Sequence, residues 1–551
     1  MNKTCKRILA TLMALAAMLA LAACGSTSAP ETTAAPAATN APAATNAPAT
    51  ATPAATTAPT PEPTPEPTPA EPKEIRSSLY SFPGDLEPTT NYYGWGVSRI
   101  GVGEALMRFD ENMDTVPLVA ESVENIDDTT WIFHIREGVT FHNGNPVDAE
   151  AVKNSIERAM ELNTRAKSIA KIASMHADGL DLTIETTEPY GAFLGYMAEP
   201  VFTIVDTSVD TSNFANQPIC TGPFMVESMI PSTEIVVVKN ENYWGGEPNV
   251  DKITFLNLAD SNAITMALQA GEINIGQEVS GTDLYLFDGN SDYVVSTRPG
   301  TRTIYCCLNV ASQFLSDMTV RKAITSAVDL DLYASTYVGG ATGVGPFSPV
   351  LKFGYDELNG YTFDPEKAAA LLDEAGYIDT NGDGIREKGG APISIQIAVI
   401  DKTNQSIHKS VAEAMQAQLK NIGINSELTV STELTYDDLR ANYDIVFKGV
   451  NAGSTNDPQN FLQLYFTTDC SYSYGNYSNP ELDALIGTLD TEFDLARRTQ
   501  IGVEASQMIL DDCAFLFIGY PDYNIVTSSN ISGLKHYPLN IYLVDKDIDI
   551  N

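Results

Sequence analysis

Asp379-Thr380-Asn381-Gly382-Asp383-Gly384 places oxygen-bearing side chains at the first, third and fifth positions of a loop with glycine at the sixth. That is the opening of a calcium loop, but the twelfth position is Gly390, so the bidentate carboxylate is missing. The five histidines, His134, His142, His176, His408 and His536, have no metal-ligand spacing, and neither HExxH nor GxSxG occurs. Glycines 339, 340, 343 and 345 lack the Lys-Ser/Thr of a phosphate loop. No cofactor and no enzymatic chemistry are expected; a secreted hydrolase and an adhesive or structural lipoprotein stand as the other classes, and ligand-induced stabilisation without turnover separates binding from hydrolysis. Two arginines suit a carboxylate, because guanidinium pairs with it bidentately: Arg302, with Tyr305 three residues on, and Arg99. For each, an inter-strand or surface ion pair is the other reading. Tyr92 and Trp95 on the glycine-containing segment Phe82–Ser98 either stack on a ligand or pack a lobe surface.

These residues need a scaffold, and the pattern supplies one. Ile75–Tyr80 reads as a strand, Trp131, Phe133 and Ile135 alternate into a tight turn at Glu137-Gly138, and Val139–Phe141 reads as the returning strand. Asp148 caps a helix with Val152, Ile156 and Ala159 on one face. Further strands are expected at Leu180–Thr186, Phe224–Met229, Glu234–Lys239, Lys252–Leu258, Thr301–Asn309, Ile393–Val399, Ser426–Val430 and Tyr443–Gly449, with Leu510–Gly519 and Ile525–Thr527 late in the chain. Helices are expected at Ala263–Ala270, Thr319–Val328, after Asp364-Pro365 and along Ile407, Val411, Met415, Leu419 and Ile422. Alternating strands and helices mean an α/β fold.

Four stretches carry a family resemblance: WIFHIREGVTFHNGNPVDAEAVKNSIERA, TGPFMVES through NENYWGGEPNVDKITF, LSDMTVRKAITSAVDLD, and DPEKAAALLDEAGYIDTNGDGIREKGGAPI. With YDIVFKGVNAGSTNDPQNFLQLYF they resemble the extracellular solute-binding proteins, family 5, that feed peptide and nickel ABC transporters. The resemblance implies a two-lobed periplasmic-binding-protein-like fold of the large type II kind, with an extra subdomain and lobes joined by two hinge crossings. It implies lobe I from 73–110, 219–300 and 520–551, the subdomain from 111–218 and lobe II from 301–519. It also implies a monomer that captures a short peptide between the lobes and delivers it to a membrane permease; a nickel or other metal chelate is the alternative ligand. Ligand identity is expected in the loop Val450–Phe461. Where peptide-binding relatives carry an Asp for the ligand's ammonium this chain has Ser454, and where nickel-binding relatives carry a His it has Gln459. Asp457 is the substitute carboxylate or a turn residue before Pro458.

The ends and the charge fit an exported protein. Met1–Ala23 has Lys3, Lys6 and Arg7 ahead of an apolar run and closes on Leu21-Ala22-Ala23-Cys24, a signal peptide with a lipobox-like end that makes Cys24 the lipidation candidate and membrane anchor. Residues 24–72 are nearly all Ala, Pro, Thr, Ser, Asn and Glu, a tether on the order of 100 Å at about 3.1 Å per residue rather than a core. A net charge of −39 argues against nucleic acid. Beyond Cys5 and Cys24, Cys220, Cys306, Cys307, Cys470 and Cys513 are odd in number and lack finger spacing, so buried free thiols are expected.

Overall fold

The alternating apolar stretches form one mixed sheet of twelve strands that runs through the whole computed structural model, which describes residues 71–258, 260–400, 406–472 and 474–551. Met1–Ala23, the tether and Cys24 lie outside the described residues. In spatial order the main path is Asn425–Ser431, Ser394–Ile400, Ile445–Asn451, Arg302–Leu308, Phe515–Ser528, Ile275–Gln277, Glu74–Ser78, Lys252–Leu256, Glu234–Lys239 and Phe224–Ile230. The strands Tyr293–Pro299 and Gly340–Thr342 pair beside Phe515–Ser528.

Phe515–Ser528 is the axis of the fold. Residues 522–528 pair antiparallel with Tyr293–Pro299, and 515–519 with Arg302–Leu308. Two antiparallel crossings therefore join the halves, and the second is one unbroken strand rather than the two late strands expected. A register shift at Ile304/Tyr305 lies between the pairings.

Ile75, Val97, Phe224, Val237 and Ile253 gather in a core of the first half and Val320, Ile324, Ile395, Val411 and Leu419 in one of the second, while a larger cluster with Phe133, Phe193, Phe461 and Phe515 runs through both. Cys306 and Cys307 join different clusters, as alternation along a strand requires. Among the described residues Cys220, Cys306, Cys307 and Cys513 are buried free thiols and Cys470 is partly buried.

A four-stranded antiparallel sheet lies within 111–218, ordered Ala120–Asn125, Thr130–Ile135, Asp181–Thr186 and Ile172–Asp178. Here the expected hairpin fails: Thr130–Ile135 pairs with Ala120–Asn125 and Asp181–Thr186, not with Val139–Phe141. Val139 and Phe141 are buried instead, pinning the loop to the core, and only Thr140 bridges to Pro146. The helix Ala149–Leu162 follows, with Asp148 accepting from the Ala151 amide at 2.8 Å.

Candidate functional site

The junction between the halves is lined by two groups of polar side chains. The outer group begins at the helix Tyr93–Arg99, where a loop had been expected, so Trp95 projects from a helical turn. Asn163 fastens this segment to the next: its side-chain oxygen caps the helix Thr164–Ala170, and its Nδ2 donates to the Thr89 carbonyl at 2.7 Å. Arg165, in the first turn of that helix, lies over the Tyr92 ring, 4.8 Å from its centroid, and Tyr92 meets Trp95 edge to face at 6.3 Å. Arg165 Nη2 donates to Glu199 Oε1 at 2.7 Å, and Trp95 Nε1 reaches Glu199 Oε2 at 3.4 Å. Glu199 is 1% exposed, and Arg165 Nη1 is buried with no hydrogen-bond partner among the described residues. Burial works against the Arg165 charge, but Glu199 and Tyr92 outweigh it and raise its pKa.

The second half closes over this group. Asn460 Nδ2 donates to Tyr196 Oη at 2.7 Å, Asn456 donates to the Met113 carbonyl, and the Thr455 carbonyl presses against Gly195, where an added Cβ would lie only 2.2 Å away. Tyr472 adjoins Tyr92 and, together with burial, raises its pKa. Tyr472 stacks on Tyr465 at 4.7 Å and Tyr474 on Tyr436 at 4.9 Å. Lys448 donates to Tyr474 Oη at 2.7 Å. A guanidinium with a spare buried nitrogen, a buried carboxylate and a tyrosine wall can hold a small solute carrying both signs of charge.

The inner group sits at the crossing strands. Arg302 is half-buried and donates to Tyr80 Oη at 3.3 Å and to the Gly449 carbonyl at 3.4 Å, linking the two halves. Glu278 and His408 lie near it. Arg99, by contrast, is 2% exposed and spent on the scaffold: Nε donates to the Asn540 carbonyl at 2.5 Å and Nη1 to the Tyr80 carbonyl at 2.7 Å.

Three further expectations are corrected. Tyr305 is fully buried among Phe461, Phe466, Phe515 and Phe517, because alternation turns it into the aromatic core. Asp457 caps the helix Pro458–Tyr465 through the Gln459 amide and pairs bidentately with Arg498 at 2.7 Å on both oxygens. Gln459 is fully buried, accepting from Arg498 at 2.9 Å and donating to Asp490 at 2.5 Å. Neither Asp457 nor Gln459 has a free group for a ligand. Ser454 is half-buried beside Thr455. In the calcium-like loop Asp379 accepts from the Gly382 and Gly384 amides, Asn381 from the Asp383 amide, and Asp383 from the Ile385 amide. These oxygens serve the loop's own backbone, and among the described residues no group of three His, Cys, Asp or Glu is arranged to hold a metal.

Arg165, Glu199, Glu278, His408 and Asn460 were not singled out from the sequence. Only the Asn163 cap ahead of Arg165 carried a local signal, and it marks a helix start rather than a site.

Residues 114–473 match the model of the bacterial extracellular solute-binding proteins, family 5. The chain belongs to this family. Family 5 members are substrate-binding transport proteins, and the two-lobed type II fold is theirs. The chain is 27% identical over 493 residues to the nickel-binding periplasmic protein of Escherichia coli (strain K12), covering 85% of this chain and 93% of that protein. It is 25% identical over 476 residues to the oligopeptide-binding protein AppA of Bacillus subtilis (strain 168), covering 80% and 85%. The structure of NikA from Brucella suis in complex with Fe(III)-EDTA superposes with a TM-score of 0.76 at 25% identity, covering 87% of this chain and all of that one.

Proposed function

We propose that this family 5 protein is the exported substrate-binding subunit of an ABC importer and that its solute is a short peptide. The observation that carries the reading is the outer group, where Arg165 keeps a buried nitrogen without a partner among the described residues, next to the buried carboxylate of Glu199, under the rings of Tyr92 and Trp95. A peptide terminus or charged side chain meets a complementary charge there, and aromatic walls accept varied side chains. Binding draws the halves together about the two crossing strands, because a ligand shifts an equilibrium toward the state it binds better. The closed form then docks on the permease, and the protein acts as a monomer without turnover. Cys24 tethers it to the outer face of the membrane; no helix among the described residues is long and apolar enough to cross one.

A metal chelate is the second reading. It is favoured by the nickel-binding relative and by the lack, among the described residues, of a protein group able to hold a bare metal, so that a metal would arrive with its own ligands. A thermal-shift screen of the purified protein separates the two: pooled di- to octapeptides raise Tm under the first reading, and nickel with free histidine alone raises it under the second. A peptide reading does not survive silence from the whole pool.

A further inference from the structure

The junction between the halves carries a second set of charges at the hinge. In the first half the parallel strands Glu74–Ser78 and Ile275–Gln277 lead at their carboxyl ends to Tyr80 and Glu278. In the second half the parallel strands Ser394–Ile400 and Ile445–Asn451 end near the start of the helix Ser406–Asn421, which carries His408. Ligands of open α/β sheets sit outside the carboxyl ends of the strands, and here two such ends meet through the Arg302 bonds to Tyr80 and Gly449.

Glu278 is unusual in this setting. Its φ is +57°, a left-handed backbone that side-chain-bearing residues adopt at a cost of roughly 1 kcal/mol or more. Its half-buried carboxylate takes one long hydrogen bond, from Asn540 Nδ2 at 3.3 Å, and forms no ion pair within 4.0 Å among the described residues. Burial raises its pKa, against the pull of Asn540, Arg302 and Arg99. Arg302 has, among the described residues, two long contacts at 3.3 and 3.4 Å. His408 is 3% exposed, and its Nδ1 has no partner among the described residues. Gly449 lets two of these side chains approach the strand: a Cβ there would lie 3.0 Å from Arg302 Nη2 and 3.1 Å from His408 Nε2. A left-handed backbone, a weakly bonded carboxylate and a lightly bonded guanidinium thus share the hinge region.

The loop expected to supply the ligand's carboxylate partner supplies none, since position 454 is serine and Asp457 is held by Arg498. A buried ammonium without such a partner costs several kcal/mol. We propose that Glu278, at the hinge, accepts a primary ammonium of the bound solute, with Arg302 of the same hinge region taking a carboxylate. This rests on the peptide reading. The ammonium belongs either to the peptide's amino terminus or to a lysine side chain.

The test uses the full chain and three probes: pooled di- to octapeptides free of lysine, the same pool N-acetylated, and an N-acetylated pool containing lysine, each read by thermal shift and then by calorimetry on the peptides that bind. Acetylation of the lysine-free pool is expected to abolish the shift on the native protein, which needs no variant. E278Q is expected to weaken the unblocked peptides tenfold or more, about 1.4 kcal/mol, while leaving its own Tm within a degree or two, and E278D to recover part of the loss. Retained binding of the acetylated lysine pool that E278Q abolishes assigns the ammonium to a side chain. Equal affinity of native protein and E278Q for unblocked peptides, or indifference to acetylation in both acetylated pools, overturns the assignment and leaves the peptide reading standing. No response to any pool overturns both.

Discussion

Replacing Asp457 with alanine distinguishes a structural carboxylate from a ligand-binding one, and the structure gives the size of the effect. Arg498 is 1% exposed, and both Asp457 oxygens bond it at 2.7 Å; its remaining donors go to the Leu489 and Glu492 carbonyls at 2.5 and 2.6 Å and to Gln459. Without Asp457 a buried guanidinium loses its counter-charge, which costs about 3–5 kcal/mol. The same carboxylate caps the helix Pro458–Tyr465, adding about 1 kcal/mol. D457A should therefore lose about 4–6 kcal/mol in urea unfolding followed by circular dichroism. D457N keeps the cap oxygen and should lose about 1 kcal/mol less. Pairing D457A with R498M removes the stranded charge, so the double variant should be more stable than D457A alone. A D457A protein that loses under about 1.5 kcal/mol yet binds its solute tenfold more weakly would refute the assignment, because that is the signature of a contact made to the ligand.

Gly195→Ala should weaken solute binding tenfold or more in calorimetry with little change in Tm, since its Cβ would strike the Thr455 carbonyl only where the halves close. Arg165→Met should abolish binding of carboxylate-bearing peptides while amidated peptides lose less, a comparison calorimetry makes directly. Burial lowers the pKa of His408 to about 3 and of His142 and His536 to about 4, so all three are neutral in the fold and bind protons more readily when it opens. Their stabilisation is present above pH 6.5 and declines as pH falls below it; between pH 7 and 5.5 the three should cost about 4 kcal/mol of unfolding free energy, and a flat profile there contradicts their burial. His134, partly exposed and paired with Asp181 at 2.7 Å, works weakly in the other direction. Millimolar calcium should leave Tm unchanged against a chelator control, because the oxygens of Asp379, Asn381 and Asp383 already serve backbone amides.

Much of the fold is legible in the sequence because its signals are local. Asp148, Asp364 and Asp317 each cap the helix that follows, and strands such as Ser394–Ile400 declare themselves by β-branched residues at Ile395, Ile397, Val399 and Ile400. Val139 and Phe141 misled because two buried side chains at alternate positions look like a strand whether or not a partner is beside them. The site is far less legible. Tyr92 and Trp95 stand out by composition, but Arg165 meets Glu199 across 34 positions, and nothing local marks the encounter. Asp457 and Gln459 lie in the loop where ligand identity was expected, and their chemistry is turned inward by Arg498, a residue with no sequence cue of its own.

The strand Phe515–Ser528 bonds to Arg302–Leu308 with its first residues and to Tyr293–Pro299 and Ile275–Gln277 with its last. Each half thus borrows an interior strand from a segment close to the end of the chain, so neither can be excised as a self-sufficient fragment: cutting anywhere before residue 515 strips a central strand from both and bares two edges primed for intermolecular pairing. During synthesis the same arrangement keeps both sheets incomplete until residues 515–528 have emerged.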